Sequence, residues 1–165
     1  NLPRHEARAK LGIAADELLV LFGANPARPV KRYDRFEAAA AEIQKTQTRL
    51  RTARLSDVDV SDVPALVASA DVLLLTSDRE GSPVVTKEAL CAGVRVVSTQ
   101  VGDVADQLQG FSGCRVADAD PVALASSVAT VLMEAPPDPA EAARRFGMQN
   151  EVAALLRIYQ GLLAK

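Results

Sequence analysis

Histidine is almost missing from this chain. His5 is the only one in 165 residues, so neither a His-centred nucleophile triad nor a His-built metal cluster is expected. Tryptophan is absent and aromatics make up 4%, which leaves no stacking platform for a long ligand. Cysteine occurs twice, at Cys91 and Cys114, with no Cys-x-x-Cys. Two cysteines cannot make a Cys-rich metal site, and no metal is expected. Cys91 reads as a small apolar packing residue, and so few cysteines favour a reduced, cytoplasmic setting. No apolar run reaches membrane-spanning length and no secretory signal is seen. A net charge of −2 gives no bulk attraction to nucleic acid or to an anionic membrane. What remains is ordinary for one globular domain over residues 1–165: 48% hydrophobic and 24% charged residues.

Apolar runs alternate with helical patterns along the chain. Residues 1–16 read as a lead-in with a short helix over 4–11. Residues 18–22 form the first strand, and Gly23-Ala24-Asn25-Pro26 turns out of it. Tyr33, Phe36, Ala40 and Ile43 then recur at helical spacing. A second strand is expected within 49–55 and a helix over 62–70, with Val63, Leu66 and Val67 inward. Beyond residue 99 come a short helix at 104–109 and a strand at 113–117. A helix from the Asp120-Pro121 cap to Glu134 follows, with Val122, Ala125, Val128 and Leu132 as its stripe. Asp138-Pro139 caps another helix, and a last one is expected over 151–163. This alternation predicts an α/β fold: a doubly wound, Rossmann-like parallel sheet of about five strands with helices on both faces.

The most informative stretch is 71–99, DVLLLTSDREGSPVVTKEALCAGVRVVST. Val72 to Leu75 is apolar without alternation, as in a parallel strand covered on both faces. A polar loop leads to Ser82-Pro83, read as an N-cap followed by proline at the first helical position. Gly93 supplies a left-handed stop, and a second buried strand follows. The free N–H groups of Val84, Val85 and Thr86 face the loop and make an anion site with the helix dipole. Glu80 precedes that helix start and Glu88 lies eight residues later, inside the helix. A carboxylate on each side of an anion seat suits a ligand with phosphate in the middle and hydroxyls at both ends, as in a nucleoside diphosphate sugar.

The run Glu80-Gly81-Ser82-Pro83 … Glu88-Ala89-Leu90, then Gly93 and Val96-Val97, resembles the Glu-x7-Glu region of retaining GT-B glycosyltransferases, notably glycosyltransferase family 4 (glycosyl transferases group 1). The resemblance implies that Glu80 faces the donor sugar. It implies that backbone amides from Gly81 and Ser82 to Val84 and Val85 hold sugar and phosphate oxygens, and that Glu88 binds ribose. Ser82 stands where many members have an aromatic residue, and Cys91-Ala92 reverses the commoner order. Lys31 matches the family lysine that binds the donor pyrophosphate. The family arginine is missing from the Ala24-Asn25 region, and Arg28 is the candidate substitute. Gly102 matches the first glycine of a Gly-Gly pair near the donor sugar, and Asp103 departs from the second.

Arg28, Lys31, Arg32 and Arg35 crowd one helix start, where positive charge opposes the dipole. From the residues alone they are either an anion seat or a solvated basic face balanced by Asp34 and Glu37. Asp57-Val58-Asp59 has the Asp-x-Asp pattern of metal-dependent glycosyltransferases, but that motif belongs to another fold. The interval between Ile43 and Asp71 is short by one strand–helix unit relative to the family, which leaves the loop 54–59 as candidate wall for the base.

The resemblance covers only the second half of a GT-B enzyme. It implies a donor-binding domain whose N-terminal acceptor domain lies outside this chain, with catalysis by Glu80 and Lys31 in the cleft between the two. The substrate would be a nucleoside diphosphate sugar, with a hexosyl group transferred, no cofactor and no nucleic acid. The isolated chain would then be inactive. Whether the full-length enzyme associates peripherally with a membrane stays open. The alternative is a non-catalytic Rossmann-like domain that binds a ligand or partner. An epimerase of the same architecture would need an acid/base pair that a single His5 does not offer.

Overall fold

The computed structural model describes residues 2–147 and Gln160. The helix expected over 151–163 lies, apart from Gln160, outside the described residues. The sheet has five strands, all parallel, in the order β2-β1-β3-β4-β5. These are β1 (Leu18–Phe22), β2 (Leu50–Arg54), β3 (Val72–Leu75), β4 (Arg95–Thr99) and β5 (Cys114–Ala117). The helices are α1 (Arg4–Lys10), α2 (Tyr33–Gln44), α3 (Val63–Ser69), α4 (Val84–Cys91), α5 (Val104–Leu108), α6 (Pro121–Leu132) and α7 (Pro139–Phe146). The chain winds from β1 outward to β2, then crosses to β3 and continues to β5. The reversal falls between β1 and β3, where such sheets open a crevice at the strands' C-terminal ends.

Strand residues alternate between two cores because successive side chains point to opposite faces. Leu19, Leu21, Leu73, Leu75 and Val96 pack with α3, α4, α5 and α7. Val20, Phe22, Val72, Leu74 and Val97 pack with α2 and α6. Burying each such side chain contributes about 1.5–3 kcal/mol, which is why the central strands need no polar face. Of four Phe and two Tyr in the chain, three meet at the head of α2: Phe22, Tyr33 and Phe36, with ring centres 5.0 to 5.7 Å apart. That cluster fixes the point where the loop after β1 enters α2.

Two expectations need correction. The stripe of α6 is Leu124, Val128 and Val131, spaced i, i+4, i+7, while Val122 is 59% exposed. Ala125 and Leu132 only flank the contact, being partly buried against it. At α4, Pro83 is extended and occupies the cap position itself, so Ser82 does not cap the helix. The short helix expected in the lead-in forms as α1 and packs on α3. Ala7 of α1 meets Ala65 and Ala68 of α3. Arg8, 4% exposed, donates to the carbonyls of Ser69, Ala14 and Glu17 and to Asp71. Asp71 in turn accepts from the Leu19 amide at 2.8 Å. This anchor lies at the N-terminal ends of β1 and β3, opposite the crevice. Among the described residues no helix is long and apolar enough to cross a membrane.

Candidate functional site

Two loops meet over the crevice. One leaves β1, ends in a 3-10 turn over Pro29–Lys31 and passes Arg32 in a left-handed conformation with φ 52°. The other leaves β3 and runs to α4. Polar groups of successive residues tie them together. The Thr76 hydroxyl lies 3.0 Å from the carbonyls of both Lys31 and Arg32. The Asp78 amide donates to the Val30 carbonyl at 2.9 Å. Arg35, reaching up from α2, donates to the Thr76 carbonyl at 2.6 Å and to Asp78 at 2.8 Å.

The consequence is that Lys31 faces Glu80. Lys31 Nζ lies 2.6 Å and 2.8 Å from the two carboxylate oxygens. Both side chains are mostly buried, 16% and 10% exposed. Ser77, 1% exposed, donates its hydroxyl to Glu80 Oε1 at 2.6 Å. Ser77 is itself held by Thr99 of β4, whose hydroxyl donates to the Ser77 carbonyl at 2.7 Å. Two other members of the basic cluster, Arg32 and Arg35, are neutralised internally. Arg32 pairs with Asp34 and Asp78, and Arg35 with Asp78. The hydrogen bond from Arg32 holds the Asp34 carboxyl down at about 2, and that from Arg35, with Arg32 behind it, holds Asp78 below the usual carboxylate range. Arg28 is exposed, and its side chain makes no hydrogen bond or ion pair among the described residues.

The start of α4 lies against these loops. Val85 is close to Gly23 after β1: a Cβ there would come 3.2 Å from the Val85 methyls and 2.8 Å from Leu73. The first amides of α4 have no acceptor within the helix. Gly81 and Ser82 are exposed beside them. Gly102, φ 50°, lies directly on the Glu80-Gly81 backbone, and the Asp103 amide donates to the Gly81 carbonyl at 3.2 Å. Gly102 therefore supports the loop from the side of β4.

Glu88 is placed differently. It is four residues after the exposed Val84 and shares that outer face of α4, while Ala89 and Leu90 are fully buried. It lines a cavity of about 230 Å³ between α3 and α4, with Val63, Pro64, Val67, Ala68, Cys91, Ala92 and Leu2. Neither Lys31 nor Glu80 lines that cavity. The turn of the helix carries Glu88 toward α3, away from the loops.

The family model for glycosyl transferases group 1 matches residues 7–134. The chain belongs to that family. The likeness to solved glycosyltransferases extends to the whole fold. Sucrose-phosphate synthase from Thermosynechococcus elongatus superposes with a TM-score of 0.76 at 21% identity, over 98% of this chain and 49% of that one. The C-terminal domain of a glycosyl transferase group 1 family protein from Francisella tularensis superposes with 0.66 at 13% identity, over 81% of this chain and 84% of that domain. AviGT4, a glycosyltransferase involved in avilamycin A biosynthesis, superposes with 0.69 at 18% identity, over 99% of this chain and 57% of that one. Comparison with curated proteins returns no match. This glycosyl transferase group 1 chain thus spans about half the length of the sucrose-phosphate synthase it resembles. Its fold is that of a C-terminal GT-B half.

Four structurally important residues of this family member escaped sequence reasoning. Thr76 and Ser77 looked like strand end and loop, yet they set the Lys31 backbone and the Glu80 carboxylate. Gln107 fell in a short helix with no role assigned to it, yet it is 3% exposed. Arg8 looked like part of a polar lead-in. Long-range hydrogen bonds leave no periodic trace. The available signal was a polar residue standing where the apolar pattern expects burial.

Proposed function

We propose that this chain is the nucleotide-sugar donor-binding half of a retaining glycosyltransferase that moves a hexosyl group to an acceptor held by a second domain. The observation that carries this reading is the mostly buried Lys31–Glu80 pair, set between the loops after β1 and β3 beside the open start of α4. A cation, a carboxylate and free amides then converge from neighbouring elements. The ammonium of Lys31 offsets charge growing on a departing diphosphate. Glu80, steadied by Ser77, accepts hydrogen bonds from sugar hydroxyls. The amides of Gly81, Ser82, Val84 and Val85 take phosphate and sugar oxygens. Glu88 receives the ribose hydroxyls at the α3 side of the same helix, and Gly102 keeps the Glu80 loop in place. Arg28, exposed on the loop before Lys31, is the second cation for the pyrophosphate.

Lys31 is satisfied by Glu80. Diphosphate binding must draw the ammonium partly onto phosphate, and the sugar then takes up the Glu80 oxygens that are released. The same mutual neutralisation also fits a domain that binds no diphosphate, which is the second reading. Calorimetric titration with nucleoside diphosphates and then with their sugars separates the two. Diphosphate affinity that exceeds nucleoside affinity, and that falls in Lys31→Ala, is expected. Indifference of the wild-type chain to all of them sinks the donor-site reading.

A further inference from the structure

Gln107 of α5 sits beneath the loop that leads into α4, where an apolar residue would be the ordinary occupant. Its Nε2 donates to Asp103 Oδ1 at 2.7 Å and to Ser82 Oγ at 3.2 Å. Its Oε1 meets the Thr86 hydroxyl, which also lies 2.6 Å from the Pro83 carbonyl. The orientation of this amide is decided by chemistry: a carboxylate only accepts, so the NH₂ group must face Asp103. Both of its hydrogens are then used, and Oε1 is left for Thr86. Ser82 Oγ is thereby an acceptor toward the protein interior, and its own hydrogen is left to donate outward. Ser82 is exposed, one residue from Gly81, on whose carbonyl Gly102 rests. One buried side chain thus connects the residue before Pro83, the first turn of α4 and the start of α5.

We propose that Gln107 is a positioning residue for the sugar-facing end of the site: it holds the 80–84 loop in register with Asp103 and turns the Ser82 hydroxyl outward as a donor to a ligand oxygen. The proposal rests on the donor-site reading given above. It differs in assigning discrimination to a network centred away from the Lys31–Glu80 pair. Diphosphate held by Lys31 and the helix amides depends little on Gln107. The additional affinity given by the sugar depends on it.

The test uses the 165-residue chain and matched probes: UDP with UDP-glucose, ADP with ADP-glucose, and GDP with GDP-mannose. The pair that binds wild type best is carried forward. In Gln107→Leu, diphosphate affinity is expected to stay within about twofold and the sugar-over-diphosphate affinity ratio to fall about fivefold or more. Ser82→Ala, a surface change that leaves the core intact, is expected to lower the same ratio. Adding Ser82→Ala to Gln107→Leu is expected to lower it no further, because both act through one hydroxyl. Amide hydrogen exchange at Asp103 and Gln107, whose N–H groups donate to the Gly81 and Asp103 carbonyls, should accelerate in Gln107→Leu without ligand. An unchanged ratio in both single variants, a parallel loss for both ligands, or unchanged exchange at those amides overturns the proposal. Wild type that binds no probe overturns the donor-site reading and this proposal with it, an outcome distinct from a wild type that binds while the ratio stays fixed.

Discussion

Gly102 and Gly81 touch backbone to backbone: a Cβ on Gly102 would stand 2.0 Å from the Gly81 carbonyl oxygen. The loops after β3 and β4 are thus pressed together at a point with no room for a side chain. Gly102 is also left-handed, φ 50°. Gly102→Ala is therefore expected to cost about 1–3 kcal/mol, from strain and from separation of the loops. Gly81 has open space around it and no left-handed φ. Gly81→Ala should change stability by no more than about 0.5 kcal/mol. Urea unfolding of both variants checks the contrast, and equal losses would contradict it.

Breaking the Lys31–Glu80 pair from either side should have unequal effects. Lys31→Ala leaves a mostly buried carboxylate with Ser77 alone. The expected cost is about 1–3 kcal/mol, below that of a fully buried pair because water reaches part of the site. Glu80→Gln keeps the shape and releases the ammonium. Nucleoside diphosphate should then bind as tightly as to wild type or tighter, while its sugar gains less. Calorimetry on the two variants decides this, and a large loss of diphosphate binding in Glu80→Gln counts against the assigned roles.

Glu88 is exposed on the outer face of α4 and bears no fold-supporting contact among those described. Glu88→Ala should leave the melting temperature near wild type. It should weaken nucleoside diphosphate binding by about 1–3 kcal/mol, the range for hydrogen bonds to a charged group. A variant that binds unchanged would detach the α3–α4 cavity from the donor site.

Acid should loosen the loop after β1 before it unfolds the core. The Asp34 carboxyl is lowered from 3.8 to about 2, chiefly by the hydrogen bond from Arg32, and Asp78 is lowered chiefly by Arg35. A lowered carboxylate contributes stability that is complete above its unfolded value and lost as pH falls through its folded one. The window is thus about pH 4 down to about pH 2. Both groups are exposed, so the effect is local and small. NMR titration of the carboxylates in wild type and Arg32→Gln should show Asp34 returning toward its ordinary range in the variant.

The isolated chain should transfer no sugar. Transfer needs donor and acceptor held together, and the chain spans 49% of the sucrose-phosphate synthase it resembles. A turnover assay with the pure chain tests this, and transfer above the rate of donor hydrolysis would contradict it.

The sequence by itself determined the parallel sheet, because short apolar runs such as Val72–Leu75 alternate with helical patterns along the chain. The helix stop at Gly93 and the caps at Asp120 and Asp138 were equally legible, since each depends on residues within one turn. The Glu80 and Glu88 spacing was visible as well, but only tertiary structure decided that Glu80 pairs with Lys31 while Glu88 lies beside α3. Glu80 is drawn to Lys31 by a contact 49 residues long in sequence, whereas Glu88 follows the helix turn toward α3. The same holds for Ser82, read as a cap from its neighbour Pro83. Its oxygen is claimed by Gln107, 25 residues away, because an amide buried beneath the loop must find acceptors. Local propensity acts within a few residues and is written in order along the chain. The pairing of buried polar groups is settled only when folding brings distant loops together and removes water as their alternative partner.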